Sequence, residues 1–493
     1  MLPRRMAGPS ISPVALPTPA RSFQAGRGSL TPGLPVSGSG APLPSLPSPL
    51  YPQVGLNAPD NPMAWFAALL LGVYLALHAC YMPEFMLVYF SFSFPIVAGT
   101  GILVAVLWLF IGRFTRFFET RIAGVFVLLL MWWLLAAAIH SFKGYFFDLV
   151  QYGIRFHATP LIICGLLLSL GLLRVTITTY ALGFVVSLFL TWRYGIADST
   201  GRFHVPKTSM ANPNDLALNL LLGVTLMTVF LVDANLIKRV FWLCCTLASL
   251  YFMLRTGSRA NLITLLVVIG AGWVISSGRV RVTIMAGAFL VLIVFAALVP
   301  HSNWSRLTTF FSASNEELGG QEHLEGAIGS TEARKNLQIR AIKITLLNPV
   351  FGIGPNMFTY ALDDYMRTQE SFAKGTWLHP HNTYLDISAE TGLVGVGLYI
   401  AVMIWCLRTN YRNVRWAQLW STGPSQALGI SSALFLATVT FSFGTLFCSI
   451  PYTGQLPFLV GLTAANSLAM RNAGLQRYPV SPPRAPLSYG PTR

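Results

Sequence analysis

Twelve stretches of mostly apolar sequence follow one another through this chain, near 63–82, 85–111, 122–141, 153–173, 175–192, 214–233, 239–255, 259–277, 281–300, 391–408, 427–447 and 454–470. Nothing else in the sequence narrows its folding options as sharply. A hydrocarbon core ~30 Å thick is crossed by ~20 apolar residues in a helix. These runs are continuous rather than alternating, so helices, not barrel strands, would satisfy the backbone inside lipid. Composition agrees: 54% of the residues are apolar and 10% charged, with a mean hydropathy of +0.59, where soluble domains carry ~25% charged residues. The expected fold is all-α, a polytopic membrane protein of about 12 transmembrane helices with a long loop carrying short helices.

Residues 1–62 hold 14 of the 31 prolines, interleaved with Gly and Ser. Such a segment cannot bury a core and is expected to be a disordered Pro-rich tail. It has no apolar h-region before residue 63, so it does not read as a secretory signal peptide. The expected plan is a tail over 1–62, a transmembrane domain over 63–470 that includes a loop at 301–390, and a second disordered tail over 471–493. An even number of spans puts both tails on one side. With the N-terminus inside, the short inner segments hold Arg113, Arg116, Arg121, Arg174, Lys238, Arg239, Arg279, Arg281, Arg408, Arg412 and Arg415, and the tails add eight arginines. The short outer loops hold only Lys143, Arg155, Arg193, Arg202, Lys207, Arg255 and Arg259. This fits the positive-inside rule, and makes both termini cytoplasmic and the 301–390 loop external, which is periplasmic in a Gram-negative cell. The same scatter in small clusters turns the net charge of +16 into a topology signal and argues against nucleic acid as a partner. The six cysteines lie in or beside apolar runs without paired metal spacing and read as small buried apolar residues.

The basic residues that break the topology rule mark a candidate site. Arg255-Thr256-Gly257-Ser258-Arg259 turns outward between two apolar runs, where positive charge either anchors to lipid headgroups or binds an anionic ligand. Within the long loop, Ser330 or Thr331 can cap a helix with Arg334 in its first turns and Leu337, Ala341, Ile344 and Leu347 at helical spacing. Asn348-Pro349 ends it, and Gly352-Ile353-Gly354-Pro355 makes a tight turn that lacks the strand–turn–helix setting of a nucleotide motif. An arginine in an early turn is either a solvated group on the polar face or a phosphate ligand, aided by the helix amides and by bidentate guanidinium geometry. Next, His379-Pro380-His381-Asn382 runs on to Gly392-Leu393-Val394-Gly395 and sets imidazoles where a polar loop meets apolar sequence. Imidazole titrates near pH ~6.5, which suits proton transfer from a sugar hydroxyl. Asn382 can cap the helix that follows. Two histidines at i, i+2 with Asp386 or Glu390 further on make a weak ligand pattern, so no metal and no cofactor is expected.

Taken in order, Arg202 with Asn212-Pro213-Asn214, Ser258-Arg259, Arg334 with Asn348-Pro349-x-x-Gly352-x-Gly354, and His381-Asn382 with Gly392 and Gly395 resemble the O-antigen ligase and O-antigen polymerase superfamily, over about residues 120–410. The resemblance implies an inner-membrane glycosyltransferase that moves a glycan from an undecaprenyl-diphosphate carrier to an acceptor hydroxyl. It casts His381, Arg334 and Arg259 as the catalytic group. Arg202, Arg255, His379 and Asn382 are the expected substrate-binding residues, with His379 an additional histidine. Implied partners are the lipid-linked glycan, an acceptor glycan or lipid A-core, membrane lipids, and polysaccharide export or chain-length-control proteins. Arginines can neutralise a departing diphosphate without a metal, so the expected reaction is a single displacement with inversion.

Branches of this superfamily share a donor and differ in acceptor. No sizeable soluble domain follows residue 470, which counts against protein glycosylation. The reading taken is a polymerase of a surface or secreted polysaccharide, with lipid A-core ligation as the alternative. A transporter or flippase of the same lipid-linked glycan is the competing class, since it would use outward arginines and need no base. No clear internal repeat is present, and Asp233 and Arg155 fall near predicted helix ends rather than mid-membrane.

Overall fold

The computed structural model describes residues 61–92, 95–140, 156–198, 201–233, 235–278, 280–287, 289, 321–359, 379–419 and 425–474. Residues 1–60 and 475–493 of the two tails, most of the helix expected over 281–300, and the loop stretches 290–320 and 360–378 lie outside the described residues, while Arg471 and Asn472 of the expected C-terminal tail are helical.

The α-helices whose ends both lie among the described residues are α1 (Pro62–Ala79), α2 (Met82–Phe90), α3 (Ile96–Ile111), α4 (Arg121–His140), α5 (Thr159–Leu166), α6 (Leu170–Tyr194), α7 (Pro213–Asp233), α8 (Leu236–Arg255), α9 (Arg259–Ile275), α10 (Gln321–Leu347), α11 (Thr383–Leu419), α12 (Ser425–Gly444) and α13 (Gln455–Asn472). Among the described residues, seven helices are long and apolar enough to cross a membrane: α1, α4, α6, α7, α8, α11 and α12. α3 and α9 are shorter apolar helices. Their outward faces are apolar, with Ile102, Leu109 and Phe110 exposed on α3 and Leu266 and Val274 exposed on α9. Water would disfavour such surfaces, whereas lipid would not.

Local chemistry sets the helix starts. Asn61 accepts from the Met63 amide at 3.0 Å with Pro62 at the first helical position, Ser169 accepts from Leu172 at 3.3 Å, and Ser258 accepts from Asn261 at 3.4 Å. Each cap relieves an amide that the helix itself leaves without a partner.

Several expected boundaries are corrected. The run expected over 85–111 is two helices, because Pro95 stands at the N-cap of α3 and cannot continue a preceding helix. The helix expected over 153–173 is interrupted: residues 153–155 lie outside the described residues, a turn at Ala158 precedes the helix Thr159–Leu166, and α6 begins at Leu170, behind the Ser169 cap. The loop helix starts at Gln321 rather than behind Ser330 or Thr331, so those two residues lie inside α10. The helix expected over 391–408 starts at Thr383 and runs to Leu419, broken at Gly392.

Polar contacts stitch the bundle. Thr176 on α6 donates to the Ala68 carbonyl of α1 at 2.8 Å. Asn410 on α11 donates to Thr438 of α12 at 3.1 Å and Thr463 of α13 at 2.8 Å, joining three helices through one amide. Buried polar groups next to lipid have no water to turn to, so such links hold helices in register.

Candidate functional site

Four connections meet at one end of the bundle: the loop between α6 and α7, the α8–α9 turn, the His379–Asn382 segment before α11, and the α12–α13 loop. The first is a small hairpin, β1 (Ile196–Ala197) against β2 (Phe203–His204), with Ile196 opposite His204. Its tip is tied by Asp198, which accepts from the Arg202 amide at 2.9 Å.

That hairpin aims Arg202 at a buried polar knot. Arg202 donates from Nη2 to Asn214 Oδ1 at 3.0 Å and from Nε to the Thr256 carbonyl at 3.2 Å. Ser258 donates to the same Asn214 oxygen at 2.8 Å, while Asn261 donates to the Asn214 carbonyl at 2.9 Å and to Ser258 Oγ at 3.0 Å. Asn214, Ser258 and Asn261 are all buried. The knot thus fixes the starts of α7 and α9, and with the latter Arg259, the first residue of α9. Arg255 is placed differently, with its guanidinium 4.9 Å over the ring of Phe203.

The histidine segment is anchored from the other side. Asn382 Oδ1 accepts from the Tyr384 and Leu385 amides at 3.0 and 3.1 Å, so it caps α11. Thr383 donates through its amide to the Thr445 carbonyl at 2.9 Å and through its hydroxyl to the Cys448 carbonyl at 2.6 Å. His381, just ahead of the cap, has φ 51°. The left-handed region is sparsely populated by residues with a side chain, though histidine is among those enriched there, and the tie at Thr383 holds the conformation.

Nine residues into α11, Gly392 breaks the helix with φ 73° and ψ −176°. The break receives the turn that follows α10. Ile353 and Gly354 donate to the Ala389 and Glu390 carbonyls at 3.0 and 2.8 Å, and Leu393 donates to the Pro349 carbonyl at 2.7 Å. Trp132 of α4 donates to the Thr391 carbonyl at 2.9 Å and stacks on Phe351, 5.0 Å between centroids. A Cβ on Gly352 would lie 2.2 Å from the Glu390 carbonyl carbon, and one on Gly392 would lie 2.0 Å from the Val350 oxygen. The glycines of these two motifs therefore allow one backbone to dock against the other. Glu390 completes the joint: its carboxylate accepts from the Phe358 amide at 3.1 Å and from the Tyr452 hydroxyl at 2.7 Å.

This docking carries Arg334 of α10 to the other groups. Arg334 lies within electrostatic reach of Cys448, Arg259 and Asp215. Burial, reinforced by Arg259, lowers its pKa, yet guanidinium stays charged at any working pH. Burial pushes the Cys448 thiol up, so it is a neutral neighbour.

The two histidines diverge. Burial first, then Arg334, His379 and Arg202, hold His381 down to about 4, leaving it neutral at pH 7. His379 is raised, first by its pairing with Asp386. Its Nδ1 lies 3.6 Å from Asp386 Oδ1. Neither oxygen of that wholly buried carboxylate has a hydrogen-bond partner, nor does His379 Nδ1, so the contact between the two side chains is electrostatic.

Arg202, Arg259, Arg334, His379 and His381 are thus brought together electrostatically. Asn382 reaches the site as a helix cap, and Arg255 stands against Phe203. Sequence reasoning missed Asp215 and Cys448. An acid in the first turn of an apolar helix was a usable signal for Asp215. Cys448 gave none. No group of three His, Cys, Asp or Glu side chains able to hold a metal ion gathers among the described residues.

Fold and site together define a polytopic helical membrane protein with a cation-lined polar site at one end of its bundle. Residues 244–400 match the family described as O-antigen ligase, so this segment, about a third of the chain, is similar to that family. The match runs from α8 through the Arg255–Arg259 turn and α10 to the break at Gly392 and beyond. Comparison with curated proteins finds no match.

Proposed function

We propose that this chain is a metal-independent, inverting glycosyltransferase that takes a glycan from an undecaprenyl-diphosphate carrier and joins it to an acceptor sugar hydroxyl, extending a surface or secreted polysaccharide. It does so on the periplasmic face of the inner membrane, with both termini in the cytoplasm. The observation that carries this reading is the convergence of three arginines and a neutral imidazole at one bundle end.

The acceptor oxygen bonds to the anomeric carbon as the bond from that carbon to the phosphate oxygen breaks. The hydroxyl proton passes to His381, and the diphosphate departs on its lipid. Arg334 and Arg259 stabilise the charge that develops on the leaving oxygen, and Arg202 contributes from the hairpin side. A single displacement inverts the anomeric configuration.

A base held near 4 is weak, and the cause supplies the remedy. After burial, cations depress His381 most, and a bound diphosphate would offset those cations. Donor binding thereby raises the basicity of His381 at the step that needs it.

The matched family is described as a ligase, which supports ligation as the second reading, with lipid A-core as the acceptor we propose for it. Deletion of the gene, complemented by wild type or by His381→Ala, separates the readings on gels of lipopolysaccharide and secreted polysaccharide. Loss of long polymer with accumulation of single repeat units means polymerisation. Full-length polymer on the carrier with bare lipid A-core means ligation. Full restoration by His381→Ala overturns the catalytic assignment and moves transport ahead.

A further inference from the structure

A cavity of about 280 Å³ lies between the end of α1, α6, α7 and the start of α13. It has no part in the chemistry above, yet it shares two walls with it. Ser209 lines it from the loop that carries Arg202, Thr453 from the loop that ties down Thr383, and Gln455 from the first position of α13, just after that loop. Tyr81, also in its wall, lies within electrostatic reach of Asp215 and Cys448, the two groups that also reach Arg334.

Three side-chain atoms among the lining residues are buried without a hydrogen-bond partner: His78 Nε2, Asn219 Oδ1 and Gln455 Oε1. Asn219 is 4% exposed, and its Nδ2 is already used by the Ala79 carbonyl at 3.2 Å and Ser187 Oγ at 3.0 Å. The His78 ring is held by Tyr74, Phe156 and Phe458, with centroids 4.9, 5.0 and 5.6 Å away. Gln455 Nε2 donates to the Tyr81 hydroxyl at 3.3 Å, which leaves its oxygen to a guest.

The lining chooses the guest. It contains no Lys or Arg and has one carboxylate, Glu84, so it is unsuited to the diphosphate that the arginine cluster fits. A lipid chain would leave three orphan polar atoms, each costing about 1–3 kcal/mol when buried unpaired. A sugar ring offers hydroxyls to these atoms and apolar C–H faces to Phe184, Phe458 and Tyr180, which matches the mixed lining. We infer that this cavity is a subsite for a hydroxyl-bearing sugar ring of the glycan substrates, set beside the arginine cluster. The inference rests on the glycan-transfer reading for its ligand and on the cavity for its place.

The test is saturation-transfer NMR on the full chain in lipid nanodiscs, with glucose, galactose, mannose, rhamnose and N-acetylglucosamine as probes. At least one sugar is expected to saturate. His78→Phe keeps the ring packing and removes the nitrogens, and Gln455→Leu removes the amide. Each should weaken binding roughly three- to tenfold, the loss of one hydrogen bond. In transfer assays the same variants should raise KM by that factor with kcat unchanged, for the acceptor if the ring is the acceptor's and for the lipid-linked donor if it is the donor's. No saturation by any probe, or binding and KM untouched in both variants, overturns the subsite. Wild-type protein that transfers glycan while these variants behave as wild type sinks this inference alone. Wild-type protein that binds sugar through His78 and Gln455 but transfers nothing sinks the transfer reading alone.

Discussion

Gly392→Ala isolates the joint on which the site depends. Its backbone, at φ 73° and ψ −176°, lies in a region that is essentially open to glycine alone and costs other residues of order 1–3 kcal/mol. The new Cβ would also sit 2.0 Å from the Val350 oxygen and 2.7 Å from the Pro349 oxygen. The turn after α10 must then withdraw by more than 1 Å to reach an ordinary contact near ~3.4 Å. Withdrawal breaks or stretches the bonds from Leu393 to Pro349, Ile353 to Ala389 and Gly354 to Glu390, each worth about 0.5–1.5 kcal/mol. The expected loss is about 3 kcal/mol or more, and Arg334 moves away from Arg259 with α10. Gly397→Ala is the matched control, five residues on in the same helix, where a Cβ meets nothing within 4 Å. Thermal unfolding of both variants in nanodiscs, followed by transfer assays, gives the readout. Gly392→Ala should melt well below Gly397→Ala and lose transfer, while Gly397→Ala stays at or slightly above wild type. If the two variants melt together, or Gly392→Ala keeps full transfer, the docked break does not position the site.

Three further outcomes follow from the site geometry. Since His381 is held down to about 4 in the free protein, the acidic limb of kcat/KM for donor should lie near that pH and the limb of kcat, with diphosphate bound, higher; a kcat limb at or below the other refutes donor-induced basicity. Arg334→Lys keeps the charge but not the planar fork, so kcat/KM in the transfer assay should fall roughly 10- to 100-fold, and a variant equal to wild type removes Arg334 from the donor site. Asn214→Ala orphans the Arg202 and Ser258 donors in a buried setting, costing about 2 kcal/mol or more, read as a lower unfolding temperature together with a raised donor KM.

What the sequence made legible, and what it hid, follows from which forces act locally. Apolar runs long enough to span lipid are written continuously along the chain, so the helical bundle could be read, as could the stop at Asn348-Pro349 and the cap at Asn382. Arg334, His381 and Arg259 were singled out by their motifs and their place where polar sequence meets apolar runs, and the fold brings them to the same end of the bundle. The break at Gly392 was half legible: a cap at Asn382 and an apolar helix from 391 were expected, but not that residues 383–391 would wind as helix and run into the second stretch across a glycine break. Their helicity rests on the Asn382 cap and on Thr383 reaching Thr445 and Cys448, more than sixty residues away. Likewise Asn348-Pro349 and Gly352-x-Gly354 read as a turn, while its purpose needed the Glu390 carbonyl, which no local pattern supplies.

The same contrast explains why the cations gather where the chain is least regular. Arginine and imidazole need backbone geometry that brings them close while keeping their repulsion tolerable, and a continuous helix spaces its side chains too uniformly for that. Here Arg202 is held by carbonyl and amide oxygens from two other elements, and Arg259 opens a helix whose cap, Ser258, belongs to the same knot. Arg334 arrives on a helix whose following turn is clamped into a glycine break. Arg202 is held through its own guanidinium, whereas Arg259 and Arg334 are placed by the elements that carry them. The cost of crowding is already met by the fold, and a diphosphate entering the cluster would gain the attraction without having to organise it.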